Sequence, residues 1–149
     1  MGNYHLRPAV AADSVQIRKL IRAVGINPMS LDWNRFILAV DEENRVIGCG
    51  QLKPHQDGSV ELASIAIIPE RRGEGIAREI IEYLITTAPS GPLYLTCRSG
   101  LGELYERFGF IPIGEDQMPP YFRKISRIFR LFTKLRVVHD TLLVMKKEI

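Results

Sequence analysis

The sequence predicts an α/β fold, in which a sheet carries helices on both of its faces. Its 149 residues are 46% hydrophobic and 25% charged, which is enough to bury a core, and we expect one domain spanning residues 1–149. Strand-like and helix-like stretches alternate along the chain without internal repeats. A glycine-rich turn, residues 73–75, joins an apolar strand to an amphipathic helix. These features exclude a disordered chain, a collagen-like repeat and a disulfide-stapled miniprotein.

Seven strands are predicted in chain order. The first is short and is closed by Pro8. Two strands flank the turn 42–44 and a third follows the turn 56–58, so three consecutive antiparallel strands are the simplest arrangement. Three further strands follow the glycine-rich turn. The predicted strands are 3–7, 35–41, 45–53, 59–68, 93–98, 110–113 and 141–147.

Four helices are predicted from apolar residues that repeat at i, i+3, i+4 and i+7. Asp13 and Gln16 have the spacing of a capping box at the first helix, which Gly25 ends. The second helix opens at the glycine-rich turn, and the third ends at Gly109, a residue type suited to the C′ position. The apolar residues that define the helices are Ile17, Leu20, Ile21 and Val24; Ile76, Ile80, Ile81 and Leu84; Leu101, Leu104, Tyr105 and Phe108; and Tyr121, Ile125, Ile128, Phe129, Phe132 and Leu135.

The positive charge of the chain is concentrated in one segment, residues 119–136. The formal net charge is +3, but this segment holds six Lys and Arg residues and no acid, so the remainder carries 14 basic and 17 acidic residues, a net of −3. A nucleic-acid-binding protein more often spreads its basic residues over a whole face and carries a recognisable motif. We therefore expect no nucleic-acid partner.

Neither a membrane span nor a metal site is predicted. No apolar run approaches the roughly 20 residues of a spanning helix, and the first residues lack a signal-peptide pattern. Cys49 and Cys97 lie in apolar strands and are interpreted as core thiols, which suits a reducing cytoplasm. The three histidines, His5, His55 and His139, do not have metal-ligand spacing.

The stretch from Glu61 to Ile85 carries the strongest functional signal. Backbone N–H groups at a glycine-rich helix start are unpaired and lie at the positive end of the helix dipole, which favours a phosphate. Arg71, Arg72 and Arg78 add positive charge nearby. A Gly-x-Gly turn also serves tight strand–helix packing, and that alternative stays open. The turn is neither a P-loop nor a Rossmann fingerprint, because it lacks the Gly-Lys-Ser/Thr ending of the first and the third glycine of the second.

Two stretches resemble the signatures of the GNAT acetyltransferase superfamily. Residues 65–77, Ile-Ala-Ile-Ile-Pro-Glu-Arg-Arg-Gly-Glu-Gly-Ile-Ala, resemble its acyl-CoA binding motif, whose Arg/Gln-x-x-Gly-x-Gly/Ala pattern is met by Arg72, Gly75 and Ala77. Residues 104–110, Leu-Tyr-Glu-Arg-Phe-Gly-Phe, resemble the aromatic-rich second signature. The resemblance implies the GNAT fold, a mixed, mostly antiparallel sheet of six to seven strands with helices on both faces.

The resemblance also implies an acetyl-CoA site, residue by residue. The amides of Arg72–Ala77 would hold the pyrophosphate, and the backbone of Ile65–Ile67 would pair with the pantetheine arm, with the Ile65 amide facing the thioester oxygen. Tyr105 matches the family tyrosine that protonates or hydrogen-bonds the departing thiolate, although a purely packed tyrosine stays an alternative. The implied cofactor-binding residues are Ile65, Ala66, Ile67, Arg72, Gly73, Glu74, Gly75, Ile76 and Ala77.

Glu61 is the candidate for the base that neutralises the attacking amine. In a regular strand it shares a face with Ala63, Ile65 and Ile67, and apolar neighbours raise the pKa of a carboxylate. Some GNAT branches place their catalytic glutamate at the matching strand position. A glutamate at the solvent-exposed end of the strand is the alternative.

The segment 119–136 is expected to form a basic amphipathic helical insert before the last strand. Three interpretations stay open. The helix packs its apolar side on the domain and displays a solvated basic face; it lines the acceptor site and favours an amine that bears a carboxylate or phosphate; or it contacts an anionic membrane surface or an acidic partner.

The expected activity is acetyl transfer from acetyl-CoA to a primary amine by direct attack in a ternary complex. Neither cysteine has a base placed beside it, so a covalent acyl-enzyme lacks support. Glu61-Leu62-Ala63 followed by the turn is similar to N-acetylglutamate synthases, so a small amine or amino acid is the default acceptor. The alternatives are a protein N-terminal or lysine acetyltransferase and a non-catalytic CoA-binding regulatory module. Sheet edges in this family often pair between subunits, so a homodimer also stays open.

Overall fold

The structure is a computed structural model and describes residues 2–135 and 141–149. Each predicted strand and helix is present, with its bounds moved by a few residues. The strands are β1 (Tyr4–Pro8), β2 (Phe36–Asp41), β3 (Val46–Pro54), β4 (Val60–Ile67), β5 (Pro92–Arg98), β6 (Ile111–Pro112) and β7 (Leu142–Glu148). The α-helices are α1 (Ser14–Val24), α2 (Ile76–Thr87), α3 (Gly102–Glu106) and α4 (Pro120–Lys134).

The strands form a seven-stranded sheet in the order β1-β2-β3-β4-β5-β7-β6. The pairs β1–β2, β2–β3, β5–β7 and β6–β7 are antiparallel. β4 and β5 are parallel, with Val60 opposite Leu93 and Glu61 opposite Tyr94. The predicted class, a mostly antiparallel α/β sheet, is confirmed.

The chain divides into two compact units. The first contains Met1–Lys53 and Leu62–Ala88, and the second contains Pro54–Glu61 and Pro89–Ile149. β4 therefore contributes residues to both. Within residues 2–135 and 141–149, no helix is both long enough and apolar enough to cross a membrane.

In the first unit, α1 and α2 pack on opposite faces of the strands. Ile17 and Ile21 of α1 join a buried cluster that contains Cys49 of β3. Side chains alternate along a strand, so the neighbouring Gly50 faces the other way. A Cβ atom added to Gly50 would lie 2.7 Å from Ile80 of α2. The glycine thus allows α2 to approach the sheet closely, and this contact fixes the start of α2 relative to the strands.

In the second unit, α3 and α4 pack on opposite faces of β7. Phe122 of α4 is fully buried and clusters with Tyr94 of β5 and Val144 of β7. A Cβ atom added to Gly102 of α3 would lie 2.9 Å from Leu143. Leu143 and Val144 are adjacent in a strand and point to opposite faces. Helices on both faces, as predicted, are therefore present in each unit.

Candidate functional site

The turn between β4 and α2 has the backbone geometry of an anion-binding loop. The chain leaves β4 at Ile67 and passes through a short 3₁₀ helix, Pro69–Arg71. Gly73 and Gly75 then adopt positive φ angles of 82° and 85°, and α2 begins at Ile76. Positive φ is a conformation that L side chains rarely adopt, so both positions favour glycine.

The first turn of α2 leaves backbone donors available for a ligand. The first helical hydrogen bond runs from the Glu79 N–H to the Gly75 carbonyl oxygen, 3.1 Å. The N–H groups of the preceding helical residues have no acceptor within the helix and lie at its positive end. A Cβ atom at Gly73 or Gly75 would meet no heavy atom within 4 Å. The loop is therefore open on the side of the glycines, and its donors fit a phosphate group.

The arginines near the loop differ in their availability. Arg71 donates from Nε to Glu74 Oε2 at 2.8 Å, and its guanidinium also bonds a backbone carbonyl near the N-terminus. The bond from Arg71 lowers the pKa of Glu74, so the Glu74 carboxylate stays ionised and engaged. Arg78 pairs with Glu82 at 3.0 Å. The predicted positive charge near the loop is therefore partly paired: Arg71 fixes the loop, and Arg72 is exposed beside it.

Ser64 interrupts the regular geometry of β4. Its φ is 61°, a left-handed conformation in the middle of a strand. Gln51 Nε2 donates to Ser64 Oγ at 2.8 Å, and Cys49 Sγ donates to the Ser64 carbonyl oxygen at 3.4 Å. Alternation of side chains is broken at such a residue. Side-chain alternation along the strand therefore does not place Glu61 on the same face as Ile65 and Ile67.

The carboxylate of Glu61 bonds a histidine, where the sequence predicts apolar neighbours. Glu61 Oε1 lies 2.8 Å from His55 Nε2, and each side chain is only 9% exposed. Glu61 is paired with Tyr94 on β5, and the whole residue is buried. The alternative of a glutamate at a solvent-exposed strand end is wrong.

His55 was not predicted as a site residue, because a lone histidine without metal-ligand spacing gives no local signal. The hairpin offered one: residues 55 and 59 flank the predicted turn 56–58, and the His55 N–H donates to the Ser59 carbonyl oxygen at 2.9 Å. A pair at the base of a hairpin places residue 61 within reach of residue 55.

Helix α4 covers His55. The rings of His55 and Tyr121 are stacked, with centroids 3.6 Å apart and planes 17° apart, and Phe122 meets His55 edge-on at 5.6 Å. Asp57 Oδ2 accepts the Tyr121 N–H at 2.9 Å. Burial opposes ionisation of Asp57, but its hydrogen bonds to Ser59 and Tyr121 outweigh burial and lower its pKa. An ionised Asp57 thus ties the first turn of α4 to the hairpin.

Tyr105 lies in α3, within the second signature. Burial, with a smaller contribution from Cys97, raises the pKa of Tyr105 to about 12. Its phenol therefore remains protonated at neutral pH and keeps a proton that it can donate. Gly109 has a φ of 93°, and the Phe110 N–H donates to the Tyr105 carbonyl oxygen at 3.3 Å. The predicted C′ glycine is confirmed, and it closes the helix directly after Tyr105.

Helix α4 contains most of the basic segment; Arg136 and His139 lie outside the described residues. Its N-terminal half packs through Phe122. Arg127 and Arg130 both donate to Glu115 Oε1 at 2.9 Å. The C-terminal half leaves a row of large apolar side chains exposed, so the apolar side packs on the domain over only part of its length. The exposed residues are Ile128, Leu131, Phe132 and Leu135.

Cys49 and Cys97 are free thiols, both buried. Burial raises the pKa of Cys49 to about 12 and also raises the pKa of Cys97. Among the described residues, no group of three or more His, Cys, Asp and Glu side chains could hold a metal ion.

Comparison with known families gives one match. A family model described as "Acetyltransferase (GNAT) domain" matches residues 32–112, more than half of the chain, from β2 to β6. The matched range includes the glycine-rich turn and Tyr105. No curated protein sequence matches the chain.

Solved structures share the fold at low sequence identity. N-acetylglutamate synthase from Neisseria gonorrhoeae, with coenzyme A and N-acetyl-glutamate, is 19% identical with a TM-score of 0.74, over 99% of this chain and 35% of that one. Rv2747 from Mycobacterium tuberculosis, in complex with CoA, is 19% identical with a TM-score of 0.75, over 97% and 99%. A chain of the NatC complex bound to Gag peptide and CoA is 21% identical with a TM-score of 0.71, over 99% of each chain. The chain spans about a third of the Neisseria protein, and identities this low show the fold alone.

Proposed function

The chain belongs to the acetyltransferase (GNAT) domain family, and we propose that it transfers an acetyl group from acetyl-CoA to a primary amine by direct attack in a ternary complex. The observation that carries the proposal is the loop before α2. Its two glycines have positive φ and open space beside them, and its helical amides lack internal acceptors. That arrangement fits a pyrophosphate, which is the anionic part of acetyl-CoA nearest its pantetheine arm.

The backbone of two segments would bind the co-substrate. The amides of Arg72–Ala77 hold the pyrophosphate, and the main chain of Ile65–Ile67 pairs with the pantetheine arm as an added strand. Ser64 supports this role for the strand, because its left-handed conformation breaks the regular ladder directly before Ile65. The side chain of Glu74 is engaged with Arg71, so only its amide contributes.

Three groups of this chain would act on the reacting atoms. Acetyl-CoA supplies the activated acetyl thioester. Glu61 accepts a proton from the ammonium form of the acceptor, which frees the nitrogen lone pair for attack. The Ile65 N–H donates to the thioester oxygen as negative charge develops there. Tyr105 donates a proton or a hydrogen bond to the departing sulfur, and its raised pKa means that the phenol is in its protonated form.

A small amine or amino acid is the proposed acceptor. The motif likeness to N-acetylglutamate synthases supports this preference, as does the fold shared with the Neisseria protein crystallised with N-acetyl-glutamate. The NatC neighbour is bound to a Gag peptide, so peptides belong in any acceptor screen. We propose a cytoplasmic location on the basis of the two buried, free thiols.

The test is amine-dependent release of CoA, followed with a thiol-reactive dye. The panel contains amino acids, polyamines, aminoglycosides and short peptides, and calorimetry measures CoA binding in parallel. We expect release with at least one amine and none without an amine. CoA binding without release for any panel member would favour a non-catalytic CoA-binding module. Absence of both would remove the proposed function.

A further inference from the structure

The buried pair of His55 and Glu61 is not required by acetyl-CoA binding, and it lies at the proposed base. The Nε2–Oε1 distance of 2.8 Å is that of a direct hydrogen bond, and both side chains are 9% exposed. A carboxylate removed from water retains a defined orientation only if a partner fixes it. His55 is that partner for one oxygen, Oε1, which leaves Oε2 for the acceptor or for a water that carries its proton.

His55 is itself fixed from two sides. Tyr121 stacks on one face of its ring at 3.6 Å, and Phe122 abuts it edge-on. The turn that precedes β4 holds the backbone, because the Gly58 N–H donates to the His55 carbonyl oxygen at 3.0 Å. The imidazole is therefore part of a packed layer between hairpin and helix.

We propose that His55 is the positioning residue for Glu61, and that α4 sets the rate of acetyl transfer by clamping His55 through Tyr121. This inference rests on the proposed function. The acceptor ammonium gives its proton to the Glu61 carboxylate, and the freed nitrogen lone pair forms the C–N bond. The C–S bond then breaks and the sulfur takes its proton from Tyr105. The second proton, which the nitrogen loses as it becomes an amide, passes through water to the Tyr105 phenolate and restores the phenol, and Glu61 releases the first proton to solvent. His55 gains and loses nothing in these steps; it holds the accepting carboxylate in place.

Among the described residues, titratable side chains approach His55 from three segments. Glu61 faces it from β4, Asp57 lies in the same turn, and Tyr121 covers it from α4. Burial, and then the charge of Glu61, raises the pKa of Tyr121, so its phenol is neutral at physiological pH.

The test compares His55→Ala with His55→Gln. Gln retains an N–H donor at a reach similar to that of Nε2 and does not titrate. We expect His55→Ala to lower kcat by about tenfold to hundredfold, the range for loss of a hydrogen bond to a charged group. The Kd for CoA stays unchanged. His55→Gln restores most of kcat, and His5→Ala, at an exposed histidine of β1, leaves kcat unchanged.

A double mutant separates positioning from mere stability. In a Glu61→Gln background the His55→Ala change should lower kcat by less than about twofold, because the group it positions is already lost. Tyr121→Phe keeps the stacked ring and retains kcat, whereas Tyr121→Ala lowers it like His55→Ala. If His55→Ala binds CoA normally and keeps kcat within twofold while Glu61→Gln loses it, the inference is wrong and the proposed function stands. If the wild-type chain transfers acetyl to no amine, the proposed function fails and this inference with it.

Discussion

At the level of single residues, Gly73 and Gly75 are the positions where an unusual backbone conformation coincides with the proposed pyrophosphate loop. Both have φ near 80° and open space at the missing Cβ. Gly25, which ends α1, has a φ of 80° and equally open space. The three glycines therefore share one conformational requirement, but only two of them lie in the proposed pyrophosphate loop.

Gly75→Ala should lower both stability and CoA affinity, whereas Gly25→Ala should lower stability alone. Each substitution places a Cβ in the left-handed region, which costs about 1 kcal/mol. At position 75 the new methyl group also fills the open side of the loop, and we expect CoA affinity to fall about tenfold or more. Denaturant unfolding and calorimetry measure the two quantities. Equal CoA affinity for both variants would show that the loop does not bind the pyrophosphate.

Tyr105→Phe should retain CoA binding and lose turnover. The phenol is the only donor assigned to the departing sulfur, and removal of a general acid typically lowers kcat by about 100-fold to 10,000-fold. Tyr83→Phe, at a 38% exposed tyrosine of α2, is the matched control. Steady-state kinetics with the best acceptor of the panel make the comparison. If Tyr105→Phe has the wild-type kcat, Tyr105 serves only in packing.

The residues of the site were predictable to different degrees for physical reasons. The loop could be predicted because glycine spacing at a helix start is a local signal, and the positive φ values bear it out. The environment of Glu61 could not be predicted, because side-chain alternation along β4 is broken at Ser64. No pattern in the sequence indicates that this serine has a left-handed backbone conformation. The stacking of Tyr121 on His55 joins residues far apart in sequence and depends on how α4 packs.

Among the elements, the junction of β1 and α1 depends on a single carboxylate. Asp13 accepts two hydrogen bonds from Arg7, at 2.8 and 2.9 Å, and one from the Val10 N–H at 2.7 Å. The bond from Arg7 lowers the pKa of Asp13. The predicted capping-box partner, Gln16, instead accepts the Val46 N–H at 3.1 Å, so it ties α1 to β3.

Asp13→Asn should destabilise the fold by about 2 kcal/mol at pH 7, the range for hydrogen bonds to charged groups. Asp32→Asn breaks an exposed pair with Arg35 and should change stability by less than about 1 kcal/mol.

The folded-state pKa of Asp13 is depressed, so its contribution to stability is present above the unfolded-state pKa of 3.8 and is lost as pH falls through the folded-state pKa. Urea unfolding from pH 7 to pH 3 measures this. If the wild-type chain exceeds Asp13→Asn in free energy of unfolding by the same amount at pH 3 as at pH 7, the ionised Asp13 carboxylate is not the source of the stabilisation.

Helix and strand positions were largely predictable, since apolar periodicity reports which face is buried. The structure differs from the prediction where the apolar repeat of a helix does not match its length or its packing. α3 ends at Glu106 because Gly109 and the bonds to the Tyr105 carbonyl oxygen close it early. In α4 the apolar repeat continues through Leu135, but only the N-terminal half packs. A hydrophobic repeat predicts a helix, whereas burial of the apolar side of that helix depends on which other elements pack against it.

For the molecule as a whole, the two cysteines report on the integrity of the core. Both are buried, and burial raises the pKa of each thiol, to about 12 for Cys49. The thiolate is the reactive form, so the native chain should react with a thiol dye far more slowly than CoA does. In denaturant two thiols per chain should react at once. A rapidly reacting thiol in the native state would contradict the assignment of both cysteines to the core.

The family and the fold constrain the chemistry of the chain, while the acceptor depends on side chains that no local motif encodes. The GNAT match covers the loop and Tyr105, which are proposed to bind and act on the co-substrate. His55 and Glu61 also lie within the matched range, whereas α4, which covers His55, begins beyond it.

The most direct test follows the acetyl group itself. Acetyl-CoA carrying an isotopically labelled acetyl group is incubated with the chain and the amine panel, and mass spectrometry locates the label in the amines and in the intact chain. We predict a labelled amide on at least one amine, an equal amount of free CoA, and no label on Cys49, Cys97 or any other residue of the chain. Label that first appears on the chain and then passes to an amine would contradict direct attack, and label found on no amine would contradict the transferase itself.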